Sequence, residues 1–214
     1  MQLLLLITTT KRLNMVNNLN KIKPLLTFNS EDTYYFLQIL QRSKENPIPA
    51  KNSVNVKNYY IKSVEHLESK MDEIVKLCDF FNARAYLRLT PRSYKVTALH
   101  HLRQMAQMIA DGNYKSIAKS YLSSSGSTTS GTEKRWIVDI DSISAKNDPD
   151  GYYVQTIKDY INNDCRPYGD KILLTLPTRN GLHLITKPFD CSVFNKAYPD
   201  IETHKDNPCN LYIP

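Results

Sequence analysis

The fold is decided by residues 135–141, which read RWIVDID, and by residues 171–186, which read KILLTLPTRNGLHLIT. Short apolar runs of this length, bounded by turn residues, are typical of buried strands. The second stretch contains two strands, at 171–176 and 181–186, because the residues between them, PTRN, form a tight turn. The chain therefore carries at least three strands of one antiparallel sheet in its C-terminal half.

Elements expected on either side of these strands complete a recognisable unit. The flanking elements are helices at 152–163 and 192–198 and short extended segments at 201–204 and 210–213. The order is then β-α-β-β-α-β, which is the split βαβ arrangement of ferredoxin-like and RNA-recognition folds. That fold serves many functions, so the function has to be inferred from the site residues.

A stretch without apolar or charged residues, SSSGSTTSGT at residues 123–132, precedes this unit. Such a segment has nothing to bury, so it predicts a flexible linker or surface loop. It divides the chain into an N-terminal α/β unit at 23–122 and a second unit at 133–214. Residues 1–22 are expected to be a partly disordered tail.

The N-terminal unit is expected to alternate helix and strand. The expected elements are helices from Ser30 to about Arg42, from Ser63, and at 94–110, with strands at 54–61 and 84–89. In the helix at 94–110, large apolar residues recur at helical spacing and predict one buried stripe. That stripe consists of Val96, Leu99, Leu102, Met105 and Ile109.

Composition excludes several classes of nucleotide-binding protein. The chain has 214 residues, 41% of them hydrophobic, and only six glycines, which form neither a G-x-G-x-x-G nor a G-x-x-x-x-G-K-S/T motif. Rossmann and Walker phosphate loops are therefore excluded, and nucleotides, if bound, must be held by side chains and metal. A net charge of +7 permits contact with nucleic acid. Four dispersed cysteines and no apolar span favour a cytoplasmic protein with no membrane association.

The strongest chemical signal is the pair Asp139 and Asp141, two residues apart on one strand and so on the same face. Carboxylates this close repel each other unless a cation lies between them, and oxygen ligands favour Mg²⁺ or Mn²⁺. Two such ions can stabilise the attacking and leaving oxygens of phosphoryl transfer. The alternative is that both acids end the strand and face water.

His183 lies on the strand that the sheet order places beside Asp139. It follows the turn that contains Arg179, Asn180 and Gly181, so a guanidinium and an imidazole can lie together near the two acids and hold a triphosphate. The alternative is a structural histidine. A third acid is expected after the second helix, and Asp200 is preferred to Glu202 as that residue.

A basic and aromatic face is expected in the N-terminal unit. It consists of Arg84, Tyr86 and Arg88 on one side of a strand, with Arg92 and Lys95 nearby. Such a face can bind phosphates and stack bases. The alternative is a solvated outer strand face.

Together these motifs resemble those of the archaeo-eukaryotic primase superfamily. A hydrophobic run ending in D-x-D looks like residues 136–141, a version of R-x-G-x-H is matched by Arg179, Gly181 and His183, and an acid followed by a basic residue looks like Asp200 with Lys205. The resemblance covers residues 133–214. It implies an α+β primase-type catalytic core in which the split βαβ unit is the palm.

The resemblance also implies roles for the site residues. Asp139, Asp141 and Asp200 (or Glu202) would bind Mg²⁺ or Mn²⁺, while Arg179 and His183 would contact the phosphates of a nucleoside triphosphate. The residues near that contact would be Asn180, Gly181 and Lys187.

The expected function is that of a primase-like nucleotidyltransferase acting on DNA or RNA ends in a bacterial or phage-infected cell, with a helicase or another replication protein as a partner in trans. The first alternative is a non-catalytic nucleic-acid-binding module on the same scaffold. A small-molecule enzyme on a ferredoxin-like fold is a further alternative. A replication-initiation nuclease is disfavoured because it needs a second histidine at position 185, where this chain has Ile185.

Overall fold

A computed structural model of the protein describes residues 15–45, 52–129 and 133–214. Within these ranges the chain forms seven α-helices and two antiparallel sheets. The expectation of an α+β fold is therefore confirmed.

The first sheet has six strands in the order β1-β10-β4-β2-β3, with β5 pairing beside β2. Its strands are β1 (Val16–Asn17), β2 (Thr33–Gln41), β3 (Val54–Ile61), β4 (Arg84–Leu87), β5 (Arg92–Ser93) and β10 (Cys209–Ile213). Between these strands the chain forms the helices α1 (Leu19–Ile22), α2 (Val64–Phe81) and α3 (Tyr94–Ala110). The helix α4 (Ile117–Ser127) follows and packs against α3. Helix α2 begins at Ser63, whose side chain accepts a hydrogen bond from the backbone N–H of His66.

The second sheet has the strand order β7-β8-β6-β9. Its elements are β6 (Trp136–Ile140), α5 (Ile143–Asn147), α6 (Tyr152–Asn163), β7 (Ile172–Pro177), β8 (Leu182–Thr186), α7 (Cys191–Ala197) and β9 (Glu202–His204). Read from the β9 edge and numbered in chain order, these strands are fourth, first, third and second, which is the strand order of the split βαβ unit expected from the sequence. Strands β6 and β8 lie at its centre.

Two hydrophobic cores hold the sheets. One face of the second sheet, including Val138 and Leu184, packs on α6 and α7. Residues of the opposite face, Ile137 and Ile185, join the core that lies between the first sheet and α2. Because the alternation of a strand sends every second side chain to one face, Asp139 and Asp141 follow Ile137 onto the face that looks towards the first sheet.

The predicted helix from Ser30 to Arg42 is wrong, because that segment forms the strand β2. The segment reads TYYFLQILQ, rich in aromatic and β-branched residues, and its central position between β3 and β4 buries both of its faces. Of the two acids after Ser30, Asp32 instead caps the start of α3, since it accepts a hydrogen bond from the backbone N–H of Lys95 at 2.8 Å.

The predicted linker at 123–132 is wrong over its first half. Helix α4 runs to Ser127, and Ser124 and Ser125 are buried. Serine can be buried here because each hydroxyl finds a partner: Ser125 donates to the carbonyl of Tyr121 at 2.9 Å. Residues 130–132 lie outside the described part of the chain.

The boundary between the two expected units is also corrected. Strand β10, assigned by sequence to the second unit, pairs with β4 and β1 in the first sheet. Of the expected tail at 1–22, residues 16–22 contribute β1 and α1, with Ile22 fully buried. Residues 1–14 lie outside the described residues.

Candidate active site

A cleft of about 600 Å³ lies between the facing surfaces of the two sheets. At this cleft, the side chains of the β6 segment that face the first sheet change from apolar Ile137 to the polar Asp139 and Asp141. Its lining residues are Arg42, Arg84, Tyr86, Ile137, Asp139, Asp141, Thr178, Arg179, Asn180, His183, His204, Asn207, Pro208 and Asn210. Five residues predicted for two separate roles therefore share the cleft with the acid pair. They are Arg179, Asn180 and His183, predicted to bind a nucleotide, and Arg84 and Tyr86, predicted to bind nucleic acid.

Asp139 lies at the centre of the second sheet, between β8 and β9. Directly opposite it are His183 on one side and Glu202 on the other. Residues that are directly opposite in a sheet project to the same face, so the acid, the imidazole and the second acid form one row. His183 Nε2 lies 3.3 Å from Asp139 Oδ1.

A second acid–imidazole pair lies on β9. His204 Nε2 is 3.2 Å from Glu202 Oε2, and His204 is opposite Ile137 in the register. The two pairs lie on the same face of the sheet because Glu202 and His204 are two residues apart. Asp139 and Glu202 therefore each have an imidazole as a neighbour on this face of the sheet.

These neighbours set the ionisation of Asp139. Burial on its own would raise the pKa of this carboxyl, but the hydrogen bond from His183 and the positive charges of His183, His204 and Arg42 act in the opposite direction. Their combined influence is larger, so the pKa of Asp139 lies below its ordinary value. Asp139 is thus held as a carboxylate at neutral pH.

This lowered pKa predicts a specific pH dependence of stability. A carboxyl whose pKa is lower in the folded state stabilises the fold fully above its unfolded-state pKa of about 3.9, and this contribution disappears as the pH falls through the folded value. In EDTA, the free energy of unfolding of wild type is expected to fall more steeply on acidification from about pH 5 than that of Asp139→Asn. Urea unfolding at each pH measures both, and parallel curves would contradict the expectation.

The turn between β7 and β8 presses on the end of β6, and this contact requires Gly181. A Cβ built on Gly181 would lie 2.0 Å from the carbonyl oxygen of Ile140 and 3.0 Å from the Cα of Asp141. The turn is closed by Thr178, whose hydroxyl accepts a hydrogen bond from the N–H of Gly181 at 3.0 Å. Arg179 and Asn180, at the tip of the turn, are thereby held beside the acid pair.

Lys146 and Pro214, the residue after β10, hold this turn through hydrogen bonds to Arg179. Lys146 Nζ donates to the carbonyl of Arg179 at 2.7 Å, and Arg179 Nη2 donates to the carbonyl of Pro214 at 3.2 Å. On the neighbouring strand, His183 Nδ1 is buried and has no hydrogen-bond partner among the described residues. A bound group that reached this nitrogen would supply the bond that the protein does not.

The first sheet forms the opposite wall of the cleft. Tyr86 lies directly between Gln38 and Asn210 in the register, so these three side chains share a face with Arg84. Arg84, Tyr86 and Asn210 line the cleft, and the Oδ1 atom of Asn210 is buried without a partner among the described residues. This wall therefore offers cations, an aromatic ring and an acceptor to whatever occupies the cleft.

Arg88 and Arg92, predicted to join that nucleic-acid-binding face, instead bind Asp206. Arg92 is fully buried and its Nη2 lies 2.8 Å from Asp206 Oδ2, while Arg88 Nη1 bonds the backbone carbonyl of Asp206 and lies 3.3 Å from Oδ2. Burial lowers the pKa of Arg88, and the charge of Asp206 opposes this. Lys95 is exposed in the first turn of α3 and does not line the cleft.

Three other predicted site residues do not line the cleft: Asp200, Glu202 and Lys187. Asp200 is exposed in the turn before β9, whereas Glu202 lies on β9 beside Asp139, so the structure brings the less favoured acid to the row. Lys187 follows β8 at the end remote from Gly181, and its backbone N–H donates to the carbonyl of Lys171. Among the described residues, no three His, Cys, Asp or Glu side chains converge as a metal site.

Several lining residues were not predicted. His204 had a readable signal, since it follows Glu202 by two residues on a strand. Arg42 was missed because residues 30–42 were predicted to be a helix, whereas Arg42 directly follows strand β2. No sequence pattern indicated that Asn207, Pro208 and Asn210 belong to the site. They line the cleft because strand β10 pairs with β4 in the first sheet.

Comparison with known proteins adds no relative, because no family model, curated protein or solved structure matches this chain. Within the described residues, no helix combines the length and apolarity needed to span a membrane.

Proposed function

We propose that the protein is a primase-like nucleotidyltransferase, which adds nucleotides to a nucleic-acid 3′-hydroxyl or starts a primer. The observation that carries the proposal is the row formed by His183, Asp139 and Glu202, with Asp141 and Arg179 lining the same cleft. This combination supports phosphate chemistry because acids that can bind a divalent cation face cations that can bind phosphate.

Asp139 and Asp141 fit a bound Mg²⁺ or Mn²⁺, although no cluster of three ligands exists among the described residues. Mg²⁺ is characteristically held by one or two carboxylates together with substrate phosphates and water, rather than by a complete protein cage. Asp139 is ionised, and Glu202 lies beside it as a further oxygen donor. When bound, such an ion supplies neutralisation of phosphate charge.

The chain's own residues orient the nucleotide. Arg179 and Asn180 project from a turn that Gly181, Thr178 and Lys146 hold in place, so their positions relative to Asp139 are fixed before substrate arrives. His183 has Nε2 on Asp139, and its Nδ1 has no hydrogen-bond partner among the described residues, so the doubly protonated ring has an N–H left to donate to a phosphate oxygen. Rigid placement is the main requirement, because nucleotidyl transfer depends on alignment and charge neutralisation.

The wall of the first sheet holds the nucleic acid in this proposal. Tyr86 offers a ring on which a base can stack, and Arg84 offers a cation for the backbone. A 3′-hydroxyl bound there attacks the α-phosphate of the nucleotide and loses its proton to water. The new O–P bond forms as the bond from the α-phosphorus to the bridging oxygen breaks, and pyrophosphate leaves with that oxygen. Both substrates thus enter one cleft from opposite sheets.

The test is incorporation of labelled nucleoside triphosphate on primed and unprimed templates, with Mg²⁺, with Mn²⁺ and with EDTA. Wild type is expected to extend or initiate chains only with a divalent cation. The Asp139→Asn, Asp141→Asn double variant is expected to lose at least about 1,000-fold in rate, the scale at which removal of preorganised charge acts. Asp150→Asn is the matched control, because Asp150 is an exposed acid paired with Lys158 outside the cleft.

The same experiment separates the alternative function. Equal incorporation by wild type and the double variant would exclude the enzyme. Salt-sensitive, metal-independent binding of single-stranded oligonucleotide without incorporation would instead favour a nucleic-acid-binding module, which the basic and aromatic wall of the cleft also suits. Glu202→Gln, compared with Asp200→Asn, identifies the third acid: only the former is expected to slow transfer.

A further inference from the structure

Asn18 joins the two walls of the cleft with a single side-chain amide. It lies between β1 and α1 and is fully buried. Its Nδ2 donates to the carbonyl of Asn210 on β10 at 2.8 Å and to the carbonyl of Pro177 on β7 at 3.1 Å. Strand β10 belongs to the first sheet and β7 to the second, so one NH₂ group bonds both sheets.

Both of these hydrogen bonds end beside the cleft. Asn210 lines the wall that the first sheet contributes, and Pro177 directly precedes Thr178, which lines the opposite wall. The hydroxyl of Thr178 in turn closes the turn that carries Arg179. Asn18 itself does not line the cleft. It therefore acts on a bound substrate only through the two strands that it holds.

The surrounding backbone holds this amide in place. The N–H of Asn18 donates to the carbonyl of Leu211 at 2.9 Å, and its carbonyl accepts from the N–H of Ile22 at 2.9 Å. Two carbonyl acceptors require the NH₂ side of the amide, because the amide oxygen of an asparagine cannot donate. The Oδ1 atom of Asn18 is buried without a partner among the described residues, so the donor side accounts for an asparagine at this position.

The other end of the contact between the sheets is held by a different residue. Arg135, which precedes β6, donates through Nη1 to the carbonyl of Leu89 at 3.1 Å, and its backbone N–H donates to the hydroxyl of Thr90 at 3.2 Å. At the cleft end the links include Arg179, which is itself proposed to contact the nucleotide. Asn18 is the link at this end that is buried away from the substrates.

We propose that Asn18 is a positioning residue for the transfer reaction, because it fixes the separation of the two walls and so the alignment of the 3′-hydroxyl with the nucleotide. This inference rests on the proposed function, in which each wall binds one substrate. Without the link, each wall keeps its own binding residues, such as Tyr86 on the first sheet and Arg179 on the second. Alignment between the substrates is then lost, and a displacement of about 1 Å costs about 100-fold in rate.

Asn18→Leu removes both donated hydrogen bonds without adding a charge. Asn20→Leu, the same change at an exposed residue of α1, is the matched control. Incorporation of labelled nucleotide on a primed template is expected to show kcat at least about tenfold lower in Asn18→Leu, with KM for the nucleotide within about twofold of wild type. The control is expected to match wild type in both constants. Equal kcat, or a loss of rate that appears only as a higher KM, would overturn the proposal.

Asn18→Ser guards against a variant that does not fold. It keeps one hydroxyl donor, so it can bond one strand but not both. Its midpoint of urea unfolding is expected to stay close to that of wild type, while its kcat lies between those of wild type and Asn18→Leu. Wild-type kcat in a folded Asn18→Ser would contradict the need for a link to both sheets.

The separation of the walls can also be measured without the reaction. Spin labels at Asn55→Cys on β3 and Tyr152→Cys at the start of α6 lie at exposed positions, one on each side of the cleft. The background variant is Cys191→Ser, since the other three cysteines are buried. Double electron–electron resonance is expected to give a narrow distance distribution with Asn18 present and a broader one in Asn18→Leu.

The two measurements separate failure of this inference from failure of the proposed function. Incorporation by wild type together with identical distance distributions would refute the role of Asn18 alone. Absence of incorporation by wild type would refute the proposed function and, with it, a positioning role in transfer.

Discussion

Replacing Asp206 by Ala is expected to lower the free energy of unfolding by about 3 kcal/mol, because it leaves a buried charge without its counterion. Arg92 is fully buried, and both oxygens of Asp206 accept from its Nη2, at 2.8 and 3.1 Å. Arg88 bonds the same residue. Two guanidinium groups thus depend on one carboxylate, and the Nε and Nη1 atoms of Arg92 have no hydrogen-bond partner among the described residues.

Urea unfolding at neutral pH measures this loss, and Asp150→Ala is the control. Asp150 also pairs with a cation, Lys158 at 3.2 Å, but its side chain is 90% exposed. Exposed pairs contribute about 0–1 kcal/mol, so this variant is expected to unfold almost as wild type does. If the two variants lost equal amounts, the Asp206 cluster would have no special structural importance.

Gly181→Ala is expected to reduce the proposed nucleotidyl transfer by about 100-fold, the effect of displacing reacting groups by about 1 Å. The added Cβ would lie 2.0 Å from the carbonyl oxygen of Ile140, so the turn must move away from β6. Since backbone atoms rather than a flexible side chain oppose the new methyl group, the movement separates Arg179 and Asn180 from Asp139. Overpacking of this kind also costs about 1–3 kcal/mol of stability.

Gly126→Ala is the matched control for this change. Gly126 lies inside helix α4, and the nearest atom to its added Cβ is Arg88 Nη2 at 3.9 Å, an ordinary contact. Alanine favours helix over glycine by about 1 kcal/mol, so this variant is expected to keep full transfer and unfold at slightly higher urea. Full activity in Gly181→Ala would show that the position of the turn does not matter for the reaction.

The second sheet could be predicted from sequence because its signals are local. The strands β6, β7 and β8 are short apolar runs separated by turn residues, and their order in the chain leaves few topologies. Asp139 and His183 were expected side by side for the same reason, and their register confirms the placement. Their catalytic roles stay a prediction.

Elements whose environment comes from distant parts of the chain were predicted poorly. Strand β2 follows an apparent helix start at Ser30, but burial between two strands determines its conformation. The orientation of α3 was also wrong, since apolar spacing identifies a helix without showing which side meets the protein. Here hydrogen bonds of Thr97 and His100 to other elements determine the orientation, and local sequence does not encode them.

The choice between Asp200 and Glu202 failed for a related reason. Both acids lie near a short strand, and the preferred one, Asp200, comes before the strand, whereas Glu202 is its first residue. The register places Glu202 opposite Asp139, whereas Asp200 stays in the preceding turn. Strand boundaries are the least certain part of a sequence-based prediction, and this acid lies at such a boundary.

Strand β10 has a consequence for the order in which the molecule can be made. It lies between β1 and β4, so residues 209–213 complete a sheet whose other strands were synthesised earlier. Until those residues leave the ribosome, β1 has no strand to pair with and one edge of β4 stays open. Contacts between such distant residues form slowly. A nascent chain that has not yet reached residue 209 therefore exposes an edge of β4, and such open edges are where unintended strand pairing occurs.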